Sequence, residues 1–333
     1  MLRLTIFAFI LLILACSDST GPSFSQYSRV SVVNTSTGSI VANIELDPTF
    51  HRDIIISPDG RYTYINSSEG DNIIQIDCLS NSISGGLDLG GHNYYLGLCM
   101  NSLGTELYTT FEGELFIIDS PSLAITDTVQ LNCTMTLDMA YRSGTDLVYI
   151  LFLRTSGPGT LVVDVEQGEV VDTLSHAAFS PVFSENGNEL YISDSSNQLI
   201  CIDPDTDKEI ASADIGNYIT DICVVPASDN IYVSWKNFPA EGGVLALDRN
   251  TLEVTNSIGM SFEADNLCYV PVLNLLYAGI SSGRYDNRIM VVDLPGFVPS
   301  DEIKISNWLV NMASAPSGDF VYCNIFMDDS TDR

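Results

Sequence analysis

Two ladders with nearly the same rung spacing run through this chain. Tyrosine recurs at Tyr64, Tyr108, Tyr149, Tyr191, Tyr232, Tyr277 and Tyr322, at intervals of 44, 41, 42, 41, 45 and 45 residues. Independently, a short apolar run closing on Asn or Asp recurs at Asn34, Asp77, Asp119, Asp164, Asp203, Asp248 and Asp293, at intervals of 43, 42, 45, 39, 45 and 45. Such a period marks a repeat architecture, in which each unit buries its apolar faces against its neighbours. Within each unit the apolar residues alternate or run continuously for about four to eight positions, and Gly, Pro, Asn and Asp divide the runs. The first unit reads as strands over 53–57, 62–66, 73–77 and 83–89, with Pro58-Asp59-Gly60 as a tight turn. No segment sustains a 3.6-residue period with caps. Four strands per unit and seven units predict an all-β, seven-bladed β-propeller. The chain opens on a third and fourth strand (30–47) and closes on a first and second (307–326), so both termini are expected to build the last blade.

Composition narrows the function classes. With 13 Lys and Arg against 43 Asp and Glu, the net charge of −30 repels phosphate backbones, and nucleic-acid binding is not expected. An apolar fraction of 45% rules out a disordered chain.

Ser57-Pro58-Asp59-Gly60 followed by Tyr64-Ile65-Asn66 resembles the S-P-D-G-x-x-x-Y-V-T-N motif of the YVTN-type β-propeller repeat family. The resemblance spans roughly residues 30 to 328. It is fullest in this copy and weakest at Val225-Pro226-Ala227-Ser228, which lacks the turn glycine. It implies a fold and leaves function open.

The N-terminus resembles a bacterial lipoprotein signal. A basic start at Arg3, an apolar run from Leu4 to Leu14 too short to span a bilayer, and Ala15 directly before Cys16 form that pattern. The resemblance implies cleavage after residue 15 and acylation of Cys16. It also implies an exported chain anchored to the membrane through that lipid, at the outer membrane because Ser17 rather than Asp follows. The expected organisation is a signal peptide over 1–15, a lipidated Cys and flexible tether over 16–28, and the propeller over 29–333. Export permits disulfides, but the seven remaining cysteines lie in apolar runs with no C-x-x-C pair, so buried thiols are expected.

Function is expected on one face. In a propeller the turns joining first to second and third to fourth strands share one end. The second-to-third connections and the links between blades share the other. The A–B turns keep a constant length, whereas the B–C connections lengthen at 153–159, 235–243 and 280–288. The inter-blade links carry His51, His92 and His176, with the aromatics Phe50, Tyr94, Tyr95, Phe179, Tyr218, Phe262 and Trp308. Arg52, Arg154, Lys236, Arg284 and Arg288 map to the same face, a concentration of scarce cations that suits an anionic ligand. The candidate binding set is therefore His51, Arg52, His92, Tyr94, Tyr95, Arg154, His176, Tyr218, Lys236, Phe262, Arg284, Arg288 and Trp308.

Eleven residues before each ladder tyrosine stand Asp53, Gly97, Asp138, Ser180, Asp221, Asn266 and Asn311, expected to ring the channel mouth at that face. The three Asp fall in alternate units, which argues against one shared cation, and a structural role in turns and inter-blade bonds is expected. Asp203-Pro204-Asp205-Thr206-Asp207 has the oxygen spacing of a calcium loop, but Lys208 replaces the required glycine, and a solvated turn is expected. No H-E-x-x-H or phosphate loop occurs, and no metal or cofactor is expected. The expected function is a monomeric, non-catalytic binding module for an envelope protein or small ligand. The alternatives are a propeller enzyme of lactone-hydrolysing or cyclising type using channel-mouth Asp and His, and a passive surface scaffold.

Overall fold

Each repeat folds as one four-stranded antiparallel sheet, and seven such sheets make up the computed structural model. It describes residues 26–67, 72–90, 97–133, 135–154, 157–177, 179–237, 241–281, 287–305 and 307–328. The innermost strands are His51–Ile56, Leu98–Met100, Met135–Tyr141, Phe179–Phe183, Tyr218–Val224, Glu263–Val270 and Trp308–Ser314, in blades one to seven. Seven apolar clusters fill the spaces within and between sheets. This is the all-β, seven-bladed propeller that the two ladders predict.

The ladder tyrosines explain the period. All seven are 0–4% exposed, each on the second strand of its blade. Four reach the C–D turn of the following blade with their hydroxyls. Tyr64 donates to the Ser120 carbonyl (2.9 Å), Tyr149 to Pro204 (3.5 Å), Tyr191 to Arg249 (3.4 Å) and Tyr322 to Asn81 Oδ1 (3.1 Å). A buried phenol keeps its packing surface and needs one partner for its hydroxyl, and the neighbouring turn supplies it. The second ladder shapes those turns. Asp77 Oδ1 accepts from the Leu79 and Ser80 amides, and Asp248 Oδ1 from Asn250 and Thr251, so the residue closing the third strand holds the turn beyond it. In the A–B turn, Ser57 Oγ donates to Asp59 (2.6 Å) and accepts from the Tyr62 amide (3.0 Å). Gly60 there takes φ +70°, whereas in blade five, where Ser228 stands in the glycine's place, the positive φ (57°) falls one residue earlier, on Ala227.

The last blade is built from both ends of the propeller. Strand Gln26–Asn34 lies between Phe320–Asp328 and Ser39–Leu46, with Asn34 opposite Phe320 and Gln26 opposite Asp328. The strand starts three residues before the boundary expected from composition. Ser28 is 1% exposed and donates to the Thr49 carbonyl, so a polar stretch that reads as tether is zipped onto the long final strand.

The outer rim is closed to strand addition. Every outermost strand bulges against its neighbour. In four blades the extra residue is Ser84, Thr126, Thr255 or Ser300, and its hydroxyl donates back to a third-strand carbonyl, of Gln75, Ile117, Ala246 or Val291. In the other three it is Val41, Val171 or Ile210, each about half exposed. Bulges twist an edge away from flat pairing, so the rim is a poor template for an added strand.

The cysteines Cys78, Cys99, Cys133, Cys201, Cys223, Cys268 and Cys323 are free thiols. Burial pushes Cys201 and Cys323 up to about 12, which makes them packing residues rather than nucleophiles.

Candidate functional site

The channel mouth is made by a bulge repeated in the innermost strands. Pairing with the second strand slips between Thr136 and Asp138, Ile219 and Asp221, Ala264 and Asn266, and Leu309 and Asn311. In blade one, Arg52 and Asp53 together oppose Asn66, whose Oδ1 accepts both freed amides (3.2 and 2.7 Å). A bulge frees backbone groups, and the ring side chains satisfy them across blade boundaries. Asp221 Oδ2 accepts from the Leu267 amide of blade six (2.8 Å), and Asn266 Nδ2 donates to the Val310 carbonyl of blade seven (3.1 Å). Asn311 reaches Asp53, and Asp53 accepts from the Leu98 amide of blade two. Asp138 and Asn311 also accept from their own following amides, each at 2.8 Å. Gly97 has no side chain to offer, because a Cβ there would lie 2.8 Å from Met139 Cγ. The ring is thus a girdle running from blade five through blade seven to blade two. Its amide acceptor Asn66, the last residue of the YVTN-like motif, had only a family resemblance to announce it.

Among the described residues three carboxylates and the Arg52 guanidinium share this mouth. Burial is the main cause that lifts Asp138 to about 7 and Asp221 to about 6, and Asp53 is raised the same way. Arg52 opposes the rise at Asp53 and Asp138, while the carboxylates reinforce it in one another. Arg52 Nε stands 4.0 Å from Asp53.

The candidate binding residues divide into several groups. Tyr218 and Trp308 are 58% and 52% exposed at the starts of the innermost strands of blades five and seven. Lys236 bonds Asp265 (2.9 Å) and approaches Glu263 (3.5 Å), tying blade five to blade six. Arg288 lies over the Phe262 ring at 5.7 Å and pairs with Glu302 (2.7 Å). His51 is 1% exposed inside the blade one and seven seam, where burial holds its pKa down at about 4. Asn324 Nδ2 donates to its carbonyl (3.0 Å). His176 is not at the mouth. Its Nδ1 lies 3.3 Å from Asp207, and the Ser175 amide donates to that same carboxylate, in the C–D turn of blade four. Strand twist swings the outer strand of blade three towards that turn, which a linear reading of loops cannot register. His92, Tyr94, Tyr95 and Arg284, the side chain of Arg154, and Cys16 with its signal and tether through 25 lie outside the described residues.

Several charged side chains of the opposite face bond within and between blades. Asp203 Oδ1 caps its own turn, Asp205 pairs with Arg142 (2.6 Å) and Asp207 turns to His176, so the calcium-like string disperses its carboxylates. Arg249, 15% exposed, bonds Glu185 (2.9 Å) and Glu189 (3.3 Å) across blades four and five. Breaking this half-buried clasp by Arg249→Ala is expected to lower stability by about 1–2 kcal/mol in urea unfolding. Lys208→Ala, on an exposed side chain, is expected to stay within about 0.5 kcal/mol.

Among the described residues no hydrogen bond joins any two of Asp53, His51, Asp138, His176 and Asp221. Gly279-Ile280-Ser281-Ser282-Gly283 spells G-x-S-x-G, yet Leu275–Ser281 is a strand rather than the start of a strand-to-helix elbow. Gly279 is required for packing, since a Cβ there would meet Asn266 Oδ1 at 2.3 Å.

No protein-family model matches the chain, and no curated protein matches it. Its likeness is to solved propellers. The Myceliophteria thermophila Cps50 (Swd1) beta-propeller domain superposes with a TM-score of 0.67 at 11% identity, over 84% of this chain and 97% of that one. Kuenenia stuttgartiensis hydrazine synthase gives 0.64 at 13% identity, over 84% and 95%. At these identities the shared property is the fold. One of these relatives carries an enzyme's name, so the fold itself does not choose between chemistry and binding.

Proposed function

We propose that this chain is an exported, lipid-anchored propeller that binds a partner through its channel-mouth face and performs no chemistry of its own. The observation that carries this reading is the contrast at that face. Tyr218 and Trp308 are each about half exposed, while Asp221 and Asn266 bond across blades and Asp53 bonds Leu98 and Asn311. Exposed aromatics on a rigid scaffold are what binding hot spots are made of. A lactone-hydrolysing or cyclising site would need two of the acids or histidines converging on one pocket. One cleft, lined by Pro58, Arg61, Leu103 and Pro121, lies at the other end, away from all of them.

Two measurements test the reading. Full-length protein purified with its membrane is expected to retain a co-purifying partner that Trp308→Ala and Tyr218→Ala each deplete by about tenfold, while Lys208→Ala does not. Equal retention by all variants would rule out this face. Cys16→Ala is expected to abolish lipid labelling and move the protein to the soluble fraction, and unchanged partitioning would rule out the anchor.

A further inference from the structure

The mouth face also indicates the chemistry of its partner, an inference that rests on the binding reading above. The scarce cations of this face suggest an anionic ligand when read from sequence, and three of the five are described in the structure. Lys236 is held by Asp265 and Glu263, Arg288 by Glu302 and the Phe262 ring, and Arg52 lies against Asp53. None of these three offers a cation that is not already matched by a carboxylate. On the other side of the ledger stand the aromatics. Tyr218 and Trp308 occupy the same register, three positions before Asp221 and Asn311 on their strands, so each exposed ring opens a strand whose next turn of backbone carries the girdle. Phe50 holds the equivalent position before Asp53 and packs edge-on against Phe326, the cross-strand partner of Trp308. Among the described residues the mouth therefore has aromatic side chains above a throat that holds Asp53, Asp138 and Asp221, with Arg52 acting on the first two.

We infer that this aromatic rim docks a basic peptide segment, with an Arg or Lys side chain of the partner over the exposed rings and its charge towards the throat. Aromatic faces attract guanidinium and ammonium groups, Arg above all. Charge complementarity at the throat orients the approach, and a chain of net charge −30 steers such a partner in from a distance. Burial of the throat carboxylates raises their proton affinity, and an arriving cation would relieve the same repulsion that a proton relieves.

The test titrates full-length protein with a fluorescent oligo-arginine peptide and, separately, with an oligo-glutamate peptide at the same ionic strength. Saturable oligo-arginine binding is expected. It should weaken about tenfold or more in Trp308→Ala, stay within about threefold in Trp308→Phe, and weaken at least threefold in Asp138→Asn. Asp164→Asn, which removes one charge from a turn on the opposite face, is expected to leave it unchanged. Equal losses in Asp138→Asn and Asp164→Asn would mean diffuse attraction and overturn the inference, as would no binding at all. Oligo-glutamate binding that depends on Trp308 would overturn the cationic partner while leaving the face intact. Failure of the face itself is read separately, from partner retention. Tyr218→Ala repeats the aromatic arm on a second blade, so misfolding of one variant does not decide the outcome.

Discussion

Deleting residues 17 to 47 is expected to yield aggregated protein with no cooperative unfolding transition. The deletion removes the third and fourth strands of the last blade, whose pairing with Phe320–Asp328 joins the two ends of the ring. Val321, Tyr322, Cys323 and Ile325 are 0–1% exposed in the intact protein, and the lost strand contributes Val30, Val32 and Val33, all at 0%. Uncovering several such side chains forfeits roughly 1.5–3 kcal/mol each, which together reaches the 5–15 kcal/mol that typically separates folded from unfolded domains. The exposed edge is also a flat, apolar template for pairing with other chains. A soluble truncation with a sharp thermal transition would contradict ring closure by the termini.

The second large effect is a dependence of stability on pH set at the channel mouth. Asp138 carries a pKa of about 7 in the folded chain against 3.8 when unperturbed. The folded state therefore binds the extra proton between those values. Its contribution favours folding at low pH, declines as pH rises from about 4 to about 7, and is gone above that. Asp138→Asn keeps an acceptor for the Met139 amide and removes the buried charge. It is expected to stabilise the protein by about 1–3 kcal/mol at pH 8, after allowance for the partial exposure of the side chain, and by almost nothing at pH 4. Asp221 should behave differently. Both of its oxygens accept backbone amides, from Ile222 and Leu267, and Asn can satisfy one of them. Asp221→Asn is thus expected to gain less than Asp138→Asn at pH 8, because the lost amide acceptor offsets the relief of its buried charge. Glu185 works in the opposite direction, since its bond to Arg249 holds it down at about 2, and its contribution is present above about pH 4.5 and lost as pH falls through 2. Together these two windows place the stability maximum at about pH 4. Urea unfolding of the parent and both variants across pH 4 to 8 checks the sign of each effect.

What the sequence revealed and what it concealed divide along a physical line. Periodic features were legible because each is dictated by local backbone needs. The Asp closing each third strand holds its own turn, and the tyrosine eleven residues beyond the ring position keeps a fixed place on the second strand of its own blade. Those are short-range requirements, and they recur with the repeat. Interactions between blades were not legible in the same way. The tyrosine ladder announced a period but not that its hydroxyls clasp the following blade. Arg249 sits in a turn that reads as inert surface, and it gains partners only when blade four brings Glu185 and Glu189 alongside. His51 and His176 both fall in inter-blade links, yet ring closure buries one and strand twist carries the other to the rim. The throat acids share one register in the sequence, and their bonding as a girdle is visible only with the neighbouring bulges.

The central claim is that the mouth face, and not the rim or the opposite end, meets the partner. Photo-crosslinking in living cells tests it most directly, with a photoreactive residue placed in turn at 218, 308, 208 and 171. The account predicts a discrete adduct from positions 218 and 308 and none from 208 on the opposite face or 171 on the rim. An adduct confined to 208 or 171 would contradict it.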